Sequence, residues 1–161
     1  MSGLPAQTGF SIVEVVVAAA IIATVGLAIT GAWQGYIKIT QLGASYTQAA
    51  LLTEEAGEAI ELYRDMSWSG MIAPLALNTP YYLYWNGTRY ATSTTAVAVN
   101  TNYAVSFSLY PVMRDANSNV VAAGGTNDPD TLKAAIIVTP FSNASSVYSE
   151  SDILIHNIYG N

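Results

Sequence analysis

Few side chains in this sequence are suited to chemistry, and their spacing narrows the set further. Asp115, Asn117 and Asn119 stand at alternate positions, as oxygen donors do in the first half of a calcium loop, and Asp128 and Asp130 would add oxygens nearby. An EF-hand loop then wants Gly at position 120 and Glu at position 126, where this chain has Val120 and Thr126. A polar turn is therefore the first reading of the cluster and a calcium loop its rival, so the expected metal set is none. His156 is the only histidine, on a segment where it alternates with Ile155 and Ile158, and the chain has no cysteine. One histidine without thiolates does not build the usual zinc site. It reads as an exposed strand residue.

Serines and threonines are plentiful, but none sits in a nucleophile elbow or a Ser–His–Asp arrangement. No glycine-rich phosphate loop follows a strand, so any ATP handling belongs to a partner. No catalytic residue and no cofactor are expected, and the chain does not read as an enzyme. A formal net charge of −6 argues against nucleic-acid binding. Asn86-Gly87-Thr88 and Asn143-Ala144-Ser145 match the glycosylation acceptor pattern, with surface turns as the default reading.

One acid remains. Glu14 lies in Gly9-Phe10-Ser11-Ile12-Val13-Glu14, and residues 15–37 after it carry no charged side chain. Those 23 residues make ~35 Å of helix, against a bilayer hydrocarbon core of about 30 Å. A charged acid at the centre of such a span costs roughly 2.5–3.5 kcal/mol, and less near its end. No cation on the same helix is near enough to help; the nearest basic side chain is Lys38.

This stretch resembles the processing site of type IV prepilins and their pseudopilin relatives: a short polar leader, a glycine, an aromatic residue, three spacers, a glutamate and an uncharged apolar run. The resemblance implies cleavage by a prepilin peptidase after Gly9, usually with N-methylation of the new first residue, Phe10. It implies that Glu14 registers each subunit against the next. The charges are compatible with that role. A free α-amino group has a reference pKa near 8, and Glu14 lies ~6 Å along a helix from Phe10. A neighbouring helix displaced by one such step sets its amine beside this carboxylate, and a pair of that kind specifies register more than it adds stability. The other reading of Glu14 is an acid snorkelling to the interface from an ordinary single-pass anchor. The leader, residues 1–9, is too short for a secretory signal peptide. It contains no Lys or Arg, a departure from the family's usual basic leader.

The elements that would position these residues follow from periodicity. The expected fold is α+β: one long N-terminal helix packed on a small antiparallel β-sheet. Residues 1–9 are the leader, 10–37 the membrane-spanning or filament-core half of the helix, and 38–161 the head. The head comprises an amphipathic half-helix over 38–72, ended by Pro74, and a sheet over 80–161. In the apolar half, Gly26, Gly31 and Gly35 suit either close helix packing or local loosening on assembly. Trp33, Tyr36 and Lys38 read as the interfacial end of the span. In the second half, Leu42, Tyr46, Ala49, Leu52, Ala56, Ile60, Tyr63 and Met66 recur at helical spacing. Tyr46, Leu52, Ile60 and Tyr63 are the expected buried set, with Trp68 and Met71 packing beyond them. Glu54, Glu55, Glu58 and Glu61 read as a solvated face.

Asn86-Gly87 signals a hairpin between strands 81–85 and 88–92. Residues 95–100 form a weak strand or loop, and 103–110 a strand that extends as far as 114. Turns are expected at 115–119 and 124–130, with strands at 132–139 and 152–159. Without a disulfide, strand pairing must hold the C-terminal end. The exposed Tyr and Trp side chains suggest core packing first and a glycan or surface contact second.

The resemblance implies a structural subunit, a major or minor pilin. Its partners would be other pilins in a homo- or hetero-oligomeric filament, the prepilin peptidase and an inner-membrane assembly platform. It would wait in the inner membrane and end in an extracellular pilus or a periplasm-spanning pseudopilus. The alternatives are a pseudopilin of type II secretion or DNA uptake, and a single-pass membrane-anchored binding protein.

Overall fold

The computed structural model of the chain describes residue 9 and residues 11–158. The fold is α+β, as the periodicity predicts. One helix, α1 (Ile12–Met66), precedes a six-stranded antiparallel sheet: β1 (Pro80–Trp85), β2 (Tyr90–Ser93), β3 (Tyr103–Arg114), β4 (Val120–Val121), β5 (Thr126–Pro140) and β6 (Ser149–His156). The order across the sheet is β2-β1-β3-β5-β6, with β4 also paired to β3. The chain divides into two compact units, residues 1–43 and 44–161.

In the first unit α1 is helical throughout, Gly26, Gly31 and Gly35 included, and every residue from 11 to 44 is exposed. That surface is apolar, and the helix is long enough and apolar enough to cross a membrane. Trp33 and Tyr36 stack loosely at its far end, with ring centroids 6.3 Å apart.

In the second unit, α1 turns one stripe to the sheet: Ala49, Leu52, Thr53, Ala56, Ala59, Ile60 and Tyr63 are buried. The sheet answers with a cross-strand ladder on one face. Val105 pairs with Val138, Phe107 with Ile136 and Leu109 with Ala134, all of them buried. Tyr46, expected in the core, is 49% exposed, as are Leu42 (50%) and Met66 (57%) at the two ends of the stripe. The pattern of apolar spacing is longer than the span that the sheet covers. Tyr46 packs instead against Tyr148, centroids 4.9 Å apart.

The α-helix ends at Met66, not at 72. Ser67 is extended (φ −174°, ψ 113°), and its hydroxyl accepts a hydrogen bond from Gly70 N. The one-turn π-helix Trp68–Ile72 that follows turns Trp68 and Ile72 into the core. Ser67, by bonding its own downstream backbone, breaks the helix before Pro74 is reached.

The hairpin forms at the expected place with a longer loop. Trp85 pairs with Tyr90, so Thr88 and Arg89 belong to the turn and not to β2. The Asn86 side chain accepts from both Thr88 N and Arg89 N, and Gly87 has φ +95°. The expected loop at 124–130 is also corrected, since β5 begins at Thr126. The register with β3 jumps from Pro111–Leu132 to Val112–Asp128, a bulge that absorbs Pro129, whose missing N–H suits it to such a place. Gly125 lies where a Cβ would come 2.5 Å from the Arg114 carbonyl oxygen, so this entry to β5 admits only glycine. The last strand runs Ser149–His156, not 152–159, and Tyr159 lies outside the described residues. Its pairing with β5 from Thr131–His156 to Val138–Ser149 holds the C-terminal end without a disulfide.

Ile60 is fully buried between helix and sheet. Ile60→Ala should destabilise the head by about 2–5 kcal/mol, read as a lowered urea midpoint of the detergent-solubilised full chain. Leu51→Ala, at a position 60% exposed, should change stability by no more than about 0.5 kcal/mol.

Candidate processing and assembly site

The site begins with the cap of α1. Ser11 carries no helical structure itself, and its carbonyl accepts from Glu14 N (3.0 Å) and Val15 N (3.2 Å). Its hydroxyl accepts from Val13 N at 3.3 Å. Ser11 is thus the N-cap, Ile12 the first helical residue and Glu14 the third. Ser11-Ile12-Val13-Glu14 has the spacing of a capping box. That spacing is the sequence signal for the cap.

Glu14 is exposed in the first turn, where the helix dipole favours a negative charge by about 0.3–1 kcal/mol. With Val15, Ala18, Ala19 and Ile22 it lines a shallow apolar concavity on one side of the helix. The two alanines lower the surface there and give another helix room to approach. Gly9, the proposed cleavage residue, is exposed and outside the helix. An exposed glycine outside the helix is more open to a peptidase than a helical residue is. Phe10, the proposed first residue of the processed chain, lies outside the described residues, as do residues 1–8 of the leader.

The oxygen-rich loop is a turn held by its own hydrogen bonds. Asp115 Oδ1 accepts from Asn117 N and Asn119 N, both at 2.8 Å, and Oδ2 accepts from the Asn119 amide at 3.0 Å. These bonds, from the Asn119 side chain first, hold the Asp115 carboxyl below its ordinary value. Asp128 turns to a different partner. Its Oδ2 accepts from Arg114 Nε at 2.6 Å and from the Thr131 hydroxyl at 2.7 Å, while Oδ1 accepts from Asp130 N. Among the described residues no three His, Cys, Asp or Glu side chains gather where they would hold one metal ion.

His156 is exposed on β6 and joins the Asp128 network: its Nδ1 lies 2.8 Å from Thr131 Oγ1. The single proton of Thr131 goes to Asp128, so Nδ1 of His156 is the donor in that contact. Arg114 and Thr131 are the residues that sequence reasoning missed here. Only the β5 bulge brings them together.

No protein-family model, no curated protein and no solved structure matches this chain.

The Asp128 carboxyl is held at about 2, against an ordinary 3.8, first by the Arg114 hydrogen bond and next by Thr131. A lowered folded-state value means that the stabilisation is complete above pH 3.8 and disappears as the pH falls through about 2. The melting temperature of Asp128→Asn should therefore lie below that of the unaltered protein at neutral pH. The difference should shrink between pH 3.8 and about 2, followed by circular dichroism.

Proposed function

We propose that the chain is a prepilin-type subunit, cut after Gly9 and assembled through its N-terminal helix into a type IV pilus or a pilus-like filament. The observation that carries this reading is Glu14, one acid in the first turn of a helix whose residues 12–44 are all exposed. An apolar surface of that length is stable only against lipid or against other apolar helices. A bilayer covers it before assembly and neighbouring copies cover it afterwards. The α-amino group of a neighbour's Phe10, exposed by cleavage, then meets Glu14 and sets the axial step between subunits. The chain acts as a structural element and as the peptidase's substrate, not as a catalyst. The inner membrane, and then a surface pilus or a periplasm-spanning pseudopilus, are the locations this reading assigns.

The capped geometry sharpens the test of Glu14. A carboxylate that serves only its own helix is replaceable by glutamine, which keeps the capping-box competence. A carboxylate that pairs with a neighbour's ammonium is not. Glu14→Ala and Glu14→Gln should both reach the membrane and both fail to enter filaments, measured by immunoblotting of sheared filament and membrane fractions. Normal incorporation of either variant would remove the registration role. Intact mass of the protein from native membranes or filaments should show a chain beginning at Phe10, with or without one methyl. A chain beginning at Met1 or Ser2 in cells with an active prepilin peptidase would instead support a single-pass anchored binding protein.

A further inference from the structure

A second feature of the head is independent of assembly. Between α1 and the β1–β2 hairpin lies a half-open cavity of about 200 Å³. The buried residues Leu52, Ala56, Leu83 and Val105 line it on the core side. Trp85 and Tyr90, a cross-strand pair, form its rim. Their rings stand nearly perpendicular, at 74°, with centroids 5.2 Å apart. Both side chains line the cavity, with their rings in edge-to-face contact.

Glu55 completes it. The Tyr90 hydroxyl donates to Glu55 Oε1 at 2.6 Å, which fixes both side chains at the cavity edge. That bond pushes the Tyr90 hydroxyl up to about 12, with burial and the nearby Glu55 and Glu58 charges adding to it. Among the described residues the ion pairs are Arg64–Asp65, Arg114–Asp128 and Lys133–Asp152, so neither Glu55 nor Glu58 takes part in one. Trp85 stays 56% exposed, whereas tryptophan is highly buried on average.

From these features we infer that the Trp85–Tyr90–Glu55 cavity binds a small quaternary ammonium group. Aromatic faces attract a cation positioned over them, and more strongly when water is excluded. A carboxylate beside the rings adds Coulombic attraction without requiring a donor from the ligand. The apolar floor chooses the type of cation. A primary ammonium brings three N–H donors that each need an acceptor, and beyond Glu55 the side-chain acceptors lining the cavity are the Asn100 amide and the Tyr84 and Tyr90 hydroxyls, the last already bonded to Glu55. A fully alkylated ammonium brings none, and its methyl groups suit Leu52, Leu83 and Val105.

The test uses the full chain in a maltoside detergent, which has no choline headgroup, and follows its three tryptophan indole N–H signals by NMR. Trp85→Phe assigns the Trp85 signal. Choline chloride should shift that signal saturably while Trp33 stays still. Dimethylbutanol, the uncharged carbon isostere of choline, should bind at least about tenfold more weakly, and n-butylammonium should also be weaker than choline. Glu55→Gln should weaken choline about tenfold with the spectrum otherwise unchanged, which shows that the fold is intact. No saturable shift with choline, or an equal response to the uncharged isostere, would overturn the site. Tighter binding of n-butylammonium would overturn its selectivity for an alkylated cation.

Discussion

An apolar helix surface that its own chain does not cover is the constraint from which the rest follows. From residue 12 to residue 44 α1 has no buried position. At about 25 cal/mol for each Å² of apolar surface, a helix of that kind is costly to leave in water. Its length and apolarity would allow it to cross a membrane. Glu14, at the start of that helix, is the only charged side chain before Lys38. Ser11 adds a local role by capping the same turn, so the first residues of α1 satisfy their own backbone while leaving the Glu14 side chain exposed.

The head solves a different problem. It has few charges and no disulfide, yet its last strand must stay in place. Eight antiparallel register positions between β5 and β6 do this along the strand. At the far end, the network of Arg114, Asp128, Thr131 and His156 ties the bulge of β5 to both neighbouring strands. Thr131 is 2% exposed, and its buried hydroxyl is satisfied by Asp128, His156 and, at 3.4 Å, Arg114 Nη2. The residues that resembled half of a calcium loop therefore separate into two structural roles. Asp115 closes a turn, and Asp128 anchors a bulge.

Where sequence reading and structure differ, short-range chemistry competes with longer-range pairing. Asn127-Asp128-Pro129-Asp130 has the composition of a loop, and locally it behaves as one. The pairing of β5 with β3 on one side and β6 on the other carries it within a strand, as a bulge. Ser67 shows the reverse, since helical periodicity runs on to Ile72 while one serine side chain bonds Gly70 and breaks the α-helix early. Thr88 and Arg89 look like strand residues, but the Asn86 side chain captures both of their amides. At Ser67 and Asn86 the difference comes from a polar side chain that bonds nearby backbone, a choice that periodicity does not encode.

The sequence by itself determined the α+β class, the long apolar helix with a single acid at its head, the Ala49–Leu52–Ala56–Ile60–Tyr63 stripe and the sheet built after it. Those depend on repeating patterns of burial, which survive local detail because each is carried by many residues. Only the tertiary structure decided that Tyr46 stays half exposed, that Arg114 reaches Asp128, and that Trp85, Tyr90 and Glu55 converge. Glu55 and Tyr90 are 35 residues apart in the chain and on different elements. Their meeting depends on how the helix lies across the hairpin, and no spacing within either segment contains that distance.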